Sequence, residues 1–298
     1  MPIVVPALST ADWRKLLQNP EKQWRHGYSA KSLADNWQEA DGFPPEIRRM
    51  FREAPVVGIN NAEMLLGIPE HTTDLPGRGR ASFTDLFVLA NSNDGLITMA
   101  VEGKVSEPFG EIVDKWLHRD SHIANRQARL DGLCKILQLN VRDALNLRYQ
   151  LLHRTAAALI EAERFSASTA VMLVHSFSSD SEWLDDYKKF AESLGVTAKS
   201  GEFVDAGMRS GRRLLLGWLT SSVGSDSAPI LNDAQSSRLL DVQQVSDLLN
   251  ISRTSVYDLI SSGELESIKI GRSRRILAED LELFIQTLKA EQSETSQT

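Results

Sequence analysis

Three ionisable residues within 82–107 have the types and spacing that phosphodiester chemistry requires. Asp85 lies in the apolar run 83–90, where a core strand would carry no acid, and Glu102-Gly103-Lys104 closes a second apolar run, 96–105. The cluster Asn91-Ser92-Asn93-Asp94-Gly95 between the runs is a hairpin signal. On a strand, side chains two apart share a face, so Glu102 and Lys104 point the same way. Pairing of the two strands would bring one acid from each, and the lysine, to one edge of a sheet. Mg²⁺ takes oxygen ligands, commonly one or two carboxylates plus substrate phosphate and water. Bound there, it acidifies water and neutralises charge on a leaving oxygen. A lysine beside it could orient or deprotonate that water, or hold a phosphate oxygen as a point charge.

This pattern resembles the PD-(D/E)XK nuclease superfamily, carried here by Thr84-Asp85 and Glu102-Gly103-Lys104. Thr84 stands where that family usually has proline. A second acid-x-Lys, Asp186-Tyr187-Lys188, lies in a helical pattern with no acidic partner strand. The resemblance implies a restriction-endonuclease-like α/β fold, with Mg²⁺ or Mn²⁺ held by Asp85 and Glu102 and with Lys104 serving the attacking water. Members often add an acid from a helix before the hairpin. Glu63, in Asn60-Asn61-Ala62-Glu63-Met64-Leu65, is the best-placed candidate metal ligand, followed by Glu46. Members also place a Gln or Lys from a following helix at the site. In Arg148-Tyr149-Gln150-Leu151-Leu152-His153-Arg154, Gln150 and Arg154 are four apart on one helical face, and Gln150 would hold the phosphate. A solvated face for this helix and ordinary surface roles for the glutamates are the competing readings. The segments around Ser29–Ala34, Val101–Gly110 and Arg148–Ala156 are also similar to a bacterial family whose members are largely this one domain, with no established activity.

The elements that must position these residues follow from periodicity. Among 298 residues with 42% hydrophobic content, one large domain and one small one are expected. No apolar run reaches the length of a membrane span, and the N-terminal residues do not form a signal-peptide pattern. Cys134 alone allows no internal disulfide and no thiolate zinc site, so a cytoplasmic setting is expected. A net charge of −7 argues against general coating of nucleic acid; any DNA contact must come from a local basic patch. Helices are expected over 29–40 (capped by Ser29), 46–53, 60–66, 109–117, 125–139, 143–163 and 181–194. A loop is expected over 71–80, and strands over 169–177 and 213–219. That order is a mixed sheet flanked by helices. The small polar stretch 223–237 reads as a flexible linker separating 1–222 from 238–290, and 291–298 as a disordered tail.

The second domain has its own pattern. Asp241 can cap a helix over 241–249, Asn250-Ile251 turns the chain, and Ser252 can cap a second helix over 253–261. Strand, turn and strand follow over 266–277, then a closing helix over 279–288 that buries Leu281, Phe284, Ile285 and Leu288. This is similar over nearly its whole length to excisionase or MerR-like winged helix-turn-helix domains. The match is carried by Leu240-Asp241-Val242, Leu248–Arg253, Val256-Tyr257, Ile260, Gly263-Glu264-Leu265 and Ile270-Gly271-Arg272. From Arg238 onward acids outnumber bases, yet 269–275 holds four basic residues and no acid, a local phosphate footprint. The resemblance implies that Arg253, Thr254, Ser255 and Tyr257 face the major groove of double-stranded DNA. Lys269, Arg272, Arg274 and Arg275 would hold the backbone or minor groove.

The function expected from these parts is a metal-dependent DNA endonuclease targeted by a C-terminal winged helix, in mobile-element maintenance or defence against foreign DNA. One site per chain would cut both strands as a homodimer or by successive nicks. Two rivals stand beside it. One is a non-catalytic transcription regulator or recombination accessory factor; the other is an RNA-directed nuclease.

Overall fold

The computed structural model describes residues 7–25, 27–40, 42–178, 180–221, 239–249, 251–270, 273–277, 280, 281 and 284. The expected linker, the C-terminal tail, Arg272, Ile285 and Leu288 lie outside the described residues. The chain divides into two compact units, Met1–Gly224 and Ser225–Thr298.

In the first unit, helices α1 (Thr10–Leu16), α2 (Pro20–Gln23), α3 (Ser29–Gln38) and α4 (Pro45–Arg52) precede a meander of β1 (Glu63–Thr73), β2 (Ser82–Ser92) and β3 (Gly95–Lys104). Helices α5 (Val113–Leu117), α6 (Ile123–Leu137), α7 (Val141–Ala144) and α8 (Tyr149–Arg164) lead to β4 (Thr169–Ser176). After α9 (Leu184–Ser193) the hairpin β5 (Phe203–Arg209) and β6 (Arg212–Thr220) completes a sheet of order β1-β2-β3-β4-β6-β5. Strands β3, β4 and β6 run parallel; the remaining pairs are antiparallel.

Strand alternation sorts the core into two layers. Leu86, Val88, Met99, Val101, Val171 and Leu173 pack beneath α3 and α4 with Trp37, Ile47 and Phe51. Ala100, Met172, Val174 and Trp218 face α6, α8 and α9 with Leu130, Leu152, Leu159 and Phe190. The parallel strand β4 is buried along its whole length, which is why its centre, Ala170–Val174, is continuously apolar rather than alternating. Gly103 sits where α3 crosses β3: a Cβ there would lie 3.4 Å from the Ser29 carbonyl oxygen and 3.5 Å from Leu33.

Several expectations are corrected. Residues 60–66 are not a helix, because Glu63–Thr73 pairs with β2 from Glu63↔Asn91 to Thr73↔Ser82. Sheet pairing overrides the helix propensity of Ala62-Glu63-Met64-Leu65. Ser29 opens α3 but makes no side-chain cap; Tyr28 is the cap residue. The long helix expected from 143 begins instead at Tyr149. Before it, the Asn140 side chain caps the short α7, and the backbone leaves the helix to bond with the α5 segment, Val113 N–H donating to the Leu147 carbonyl at 2.8 Å. Strand β5 adds to the expected elements. Its turn, Ser210 and Gly211, has φ of +48° and +77°, the Gly-containing primed turn that selects hairpins.

The second unit contains β7 (Leu239–Asp241), α10 (Val242–Leu249), α11 (Arg253–Ser262), β8 (Ile268–Ile270) and β9 (Ser273–Leu277), with sheet order β7-β9-β8. Val242, Val245, Val256, Leu265, Ile276, Leu281 and Phe284 form its core. Asp241 and Gln244 build a reciprocal cap: Gln244 N–H donates to Asp241 Oδ1 and Asp241 N–H to Gln244 Oε1, both at 2.9 Å. Ser252 Oγ accepts from Ser255 N–H at 3.1 Å, and Gly263 ends α11 at φ +81°.

Candidate functional site

Pairing of β2 with β3 runs from Ser92↔Gly95 to Leu86↔Val101. Asp85 and Glu102 therefore come next, at the end of the sheet where β4 also finishes beside Lys104 (Lys104↔Ser176). Alternation puts Glu102 and Lys104 on the face that meets α8, the same face on which Thr98 Oγ1 bonds the Ala158 carbonyl at 3.0 Å. Glu102 is only 2% exposed. Its Oε1 accepts from Lys104 Nζ at 2.8 Å and Gln150 Nε2 at 2.5 Å, and its Oε2 from Arg154 Nε at 2.5 Å. The four-residue spacing on α8 is what lets Gln150 and Arg154 grip one carboxylate. Arg154 also donates from Nη1 to Ser82 Oγ at 2.8 Å and lies 3.7 Å from Asp85 Oδ1. Asp85 Oδ2 accepts from the Gly103 N–H at 2.9 Å.

Asp85, Glu102, Lys104 and Gln150 are thus brought together. Glu63 is not. It pairs with Asn91 at the opposite end of β2, about 20 Å from Asp85 at strand rise, and it is exposed. Glu46 is in the first turn of α4, whose buried residues pack on the other face of the sheet. The acid that does reach the site is Glu70. Pro69 pairs with Leu86 and His71 with Thr84, so Glu70 falls opposite Asp85. It does so at φ +51°, a left-handed conformation inside a strand, the kind of strain that persists where surrounding structure enforces it. Reading 60–66 as a helix and 71–80 as a loop hid the strand between them; Arg154 was visible as a face-mate of Gln150 but had no assigned role.

The carboxylates differ in electrostatics. Burial alone would raise the pKa of Glu102, but the Arg154 and Lys104 charges and their hydrogen bonds bring it down to about 2. Asp85 is pushed up to about 7, first by burial and then by the Glu102 charge, against the pull of Arg154 and Lys104. Glu70 rises to about 8 through burial and the charge of Asp85. Two neighbouring acids that resist ionising together titrate as a pair. They line a cleft of about 350 Å³ with Lys22, Tyr28, Ser29 and Glu107. Among the described residues no group of three or more His, Cys, Asp or Glu is arranged to hold a metal ion. Both oxygens of Glu102, an expected ligand, already accept from Lys104, Gln150 and Arg154, so the carboxylates left to hold an ion are Asp85 and Glu70. Hard oxygen donors in that number would suit Mg²⁺ or Mn²⁺ that keeps its water and phosphate ligands.

Replacing Glu63 by Gln should leave stability within about 0.5 kcal/mol of the parent, since the side chain is exposed and outside the cluster. Urea unfolding measures this. A loss above 1.5 kcal/mol would mean the β1 register is wrong.

In the second unit, Arg253, Thr254 and Tyr257 are exposed at the start of α11, while Val256 between them is fully buried. Ser255 is partly buried, and both its N–H and its hydroxyl engage Ser252 Oγ, the latter at 2.9 Å. Its first role is therefore in the cap. Lys269 pairs directly with Arg274 across β8 and β9, and like charges opposite one another are destabilising unless an anion is met there. Arg274 Nη1 donates to Ser267 Oγ at 2.8 Å, and Arg275 Nη1 to the Arg274 carbonyl at 3.0 Å. Among the described residues none of Arg253, Lys269, Arg274 and Arg275 is ion-paired.

Comparison with known proteins separates the same two parts. Residues 6–223 match the family described as Domain of unknown function (DUF6946), and residues 239–289 match the Helix-turn-helix domain. A probable excisionase of Saccharopolyspora erythraea is 42% identical over 55 residues, 18% of this chain and 56% of that protein. A putative DNA-binding protein of Mycobacterium tuberculosis is 36% identical over 50 residues, 17% of this chain and 64% of that protein, in two strains. The chain thus spans a little over half the length of these curated relatives. No solved structure matches. Among the described residues no helix is long and apolar enough to cross a membrane.

Proposed function

We propose that this chain, which belongs to the family described as Domain of unknown function (DUF6946), is a metal-dependent nuclease of PD-(D/E)XK type that its helix-turn-helix unit brings to double-stranded DNA. The observation that carries the reading is the convergence of Asp85, Glu102, Lys104 and Gln150 at one end of the β2–β3 pair, where Glu70 joins them. Asp85 and Glu70 would hold Mg²⁺ or Mn²⁺, which when bound acidifies water and neutralises charge on the leaving oxygen. Glu102 fixes the Lys104 ammonium on the shared face, where Lys104 can orient the attacking water or hold a phosphate oxygen. The Gln150 amide, on the first turn of α8, spends one N–H on Glu102 and has a second that would donate to a phosphate oxygen. Buried Arg154 neutralises Glu102 and keeps the cluster compact. In the second unit, exposed Arg253, Thr254 and Tyr257 would enter the major groove, with Lys269, Arg274 and Arg275 on the backbone. Similarity to a probable excisionase and a putative DNA-binding protein supports that assignment.

One observation favours a second reading. Glu102 already accepts from three donors, and Arg154 already supplies the cluster with a cation. A network so complete suits a non-catalytic domain serving a transcription regulator or recombination accessory factor. Plasmid cleavage by the full chain in Mg²⁺ or Mn²⁺ decides between them. Cutting that stops on chelation supports the nuclease; duplex binding without cutting of any nucleic acid supports the regulator.

The raised carboxylates give an independent readout. An acid with an elevated folded pKa stabilises the fold most below its unfolded pKa, and that contribution is lost as pH rises through the folded value. Asp85 and Glu70 therefore weaken the fold between about pH 4 and pH 8. A divalent ion binds only their ionised forms, so 10 mM Mn²⁺ should raise Tm more at pH 8.5 than at pH 5.5. At a hundred times Kd the gain is about 2.7 kcal/mol. Glu70→Gln and Asp85→Asn should each lose most of the ion-induced shift, as differential scanning fluorimetry would show. An equal shift at both pH values would place the ion elsewhere.

On the DNA side, Lys269→Gln and Arg274→Gln should each weaken duplex binding about uniformly across sequences and lower the log K against log salt slope by about one. Anisotropy titrations at several salt concentrations test this; an unchanged slope would remove the wing from the interface.

A further inference from the structure

A second cleft, of about 420 Å³, opens on the α8 side of the first unit. Tyr149 and His153 of α8 line it, so it borders the turn that sends Gln150 and Arg154 to Glu102. We propose that this cleft binds the phosphodiester backbone of a nucleic acid, independently of the helix-turn-helix unit. Its cations are Arg78 and Arg80 from the loop after β1, and Arg119, Arg126 and Arg129 from the α5–α6 region. No Asp or Glu lines it, in a protein of net charge −7.

Three of the five arginines carry no internal ion pair: among the described residues, no carboxylate lies within ion-pairing distance of Arg78, Arg80 or Arg129. Exposed Arg119 lies 3.6 Å from Glu111, and Arg126 pairs with Asp120. Arg129 is only 6% exposed. Its Nη1 donates to the Arg80 carbonyl at 2.6 Å, while its Nε is buried without a hydrogen-bond partner. Arg126 bonds Asp120 through Nη2 and packs 5.8 Å from the Trp116 ring centroid, yet its Nη1 is likewise buried and unpartnered. A buried guanidinium nitrogen without an acceptor is costly unless an anion completes it, most of all at Arg129, which has no carboxylate partner among the described residues. The loop is shaped to lie over this charge. Gly77 and Gly79 have φ of +77° and +132°, and a Cβ on Gly79 would stand 3.2 Å from the Arg129 guanidinium carbon.

The aromatic residues say which part of the ligand is met. Trp116 and Tyr149 stack on each other at 3.8 Å and 12°, with Arg126 against Trp116 and His153 4.9 Å from Tyr149. Ring faces engaged in this way are not a platform for bases, whereas forked guanidinium donors match phosphate oxygens. The site therefore takes backbone without reading sequence. The inference does not rest on cleavage, because a non-cutting protein would bind in the same way.

The experiment uses the full chain carrying Lys269→Gln and Arg274→Gln, so that the wing contributes little. Labelled single-stranded and duplex oligonucleotides are titrated by anisotropy over a salt series without divalent ion. Arg78→Gln/Arg80→Gln/Arg119→Gln, all at exposed positions, should lower affinity at least tenfold at 0.1 M salt and reduce the salt slope by about two to three. Lys188→Gln/Lys189→Gln/Lys199→Gln removes the same charge from exposed positions elsewhere and should change the slope by less than one. A melting temperature equal to the parent's confirms that the Arg triple variant is folded. Equal loss in both triple variants overturns the proposal, as does absence of binding in the wing-silenced parent. Full competition by millimolar inorganic phosphate would also overturn it, showing a small-anion site instead.

Discussion

Glu102→Ala and Lys104→Ala are each expected to cut supercoiled plasmid at least about 10²-fold more slowly than the parent chain in Mg²⁺ or Mn²⁺, the loss typical of a positioned acid–base group. Because Glu102→Ala leaves Lys104 and Arg154 buried without their acceptor, Glu102→Gln is the necessary companion. It keeps an oxygen for Arg154 and removes the charge that fixes Lys104. Loss of cutting in Glu102→Gln, with Tm near the parent's and duplex binding intact, separates chemistry from folding. Equal cutting by Glu102→Gln and parent would dismiss this sheet edge as the active centre. An inert parent that still binds duplex would move the assignment to the regulator, and cutting of RNA alone would make the chain an RNA-directed nuclease.

Arg154→Met is expected to destabilise the first unit by about 3–5 kcal/mol, because it leaves the buried Glu102 Oε2 without its donor and with Lys104 as the remaining cation, and takes away the cation beside Asp85. For a unit of this size that is a Tm loss of roughly 6–20 °C. The sign with pH distinguishes this from a packing defect. In the parent, the depressed Glu102 contributes stability above its unfolded pKa near 4, lost as pH falls toward 2. Without Arg154 the Glu102 carboxyl is driven to protonate, so acidification from pH 8 to pH 5 should recover part of the loss. Arg154→Met/Glu102→Gln should be more stable than Arg154→Met alone, the non-additivity expected of a direct pair. A pH-independent loss, with no gain in the double variant, would leave Arg154 as packing and not as counter-ion.

Much of this arrangement was legible in the chain because it is local. The polar cluster 91–95 between two apolar runs sets the β2–β3 turn, and alternation then places Glu102 and Lys104 on one face. Four-residue spacing likewise pairs Gln150 with Arg154. In the second unit, Asp241 and Ser252 sit at helix starts where their side chains cap the backbone, and Gly263 supplies the left-handed stop. Turns, caps and alternation depend on residues within a few positions of one another, so sequence by itself determined them.

Tertiary structure decided the rest. Glu70 became the partner of Asp85, in place of Glu63, through the β1–β2 register, which depends on pairing across the sheet and on a strained residue no local preference favours. The start of α8 moved to Tyr149 because Leu147 is claimed by Val113, far away in sequence. The ionisation of Asp85, Glu70 and Glu102 followed from which charges burial left beside each. The arginine cleft was invisible because its members come from the loop after β1, α5, α6 and α8, segments that read separately as ordinary surface. Each of these outcomes is a matter of distance in space, and chain position carries no measure of that until the sheet and helices have packed.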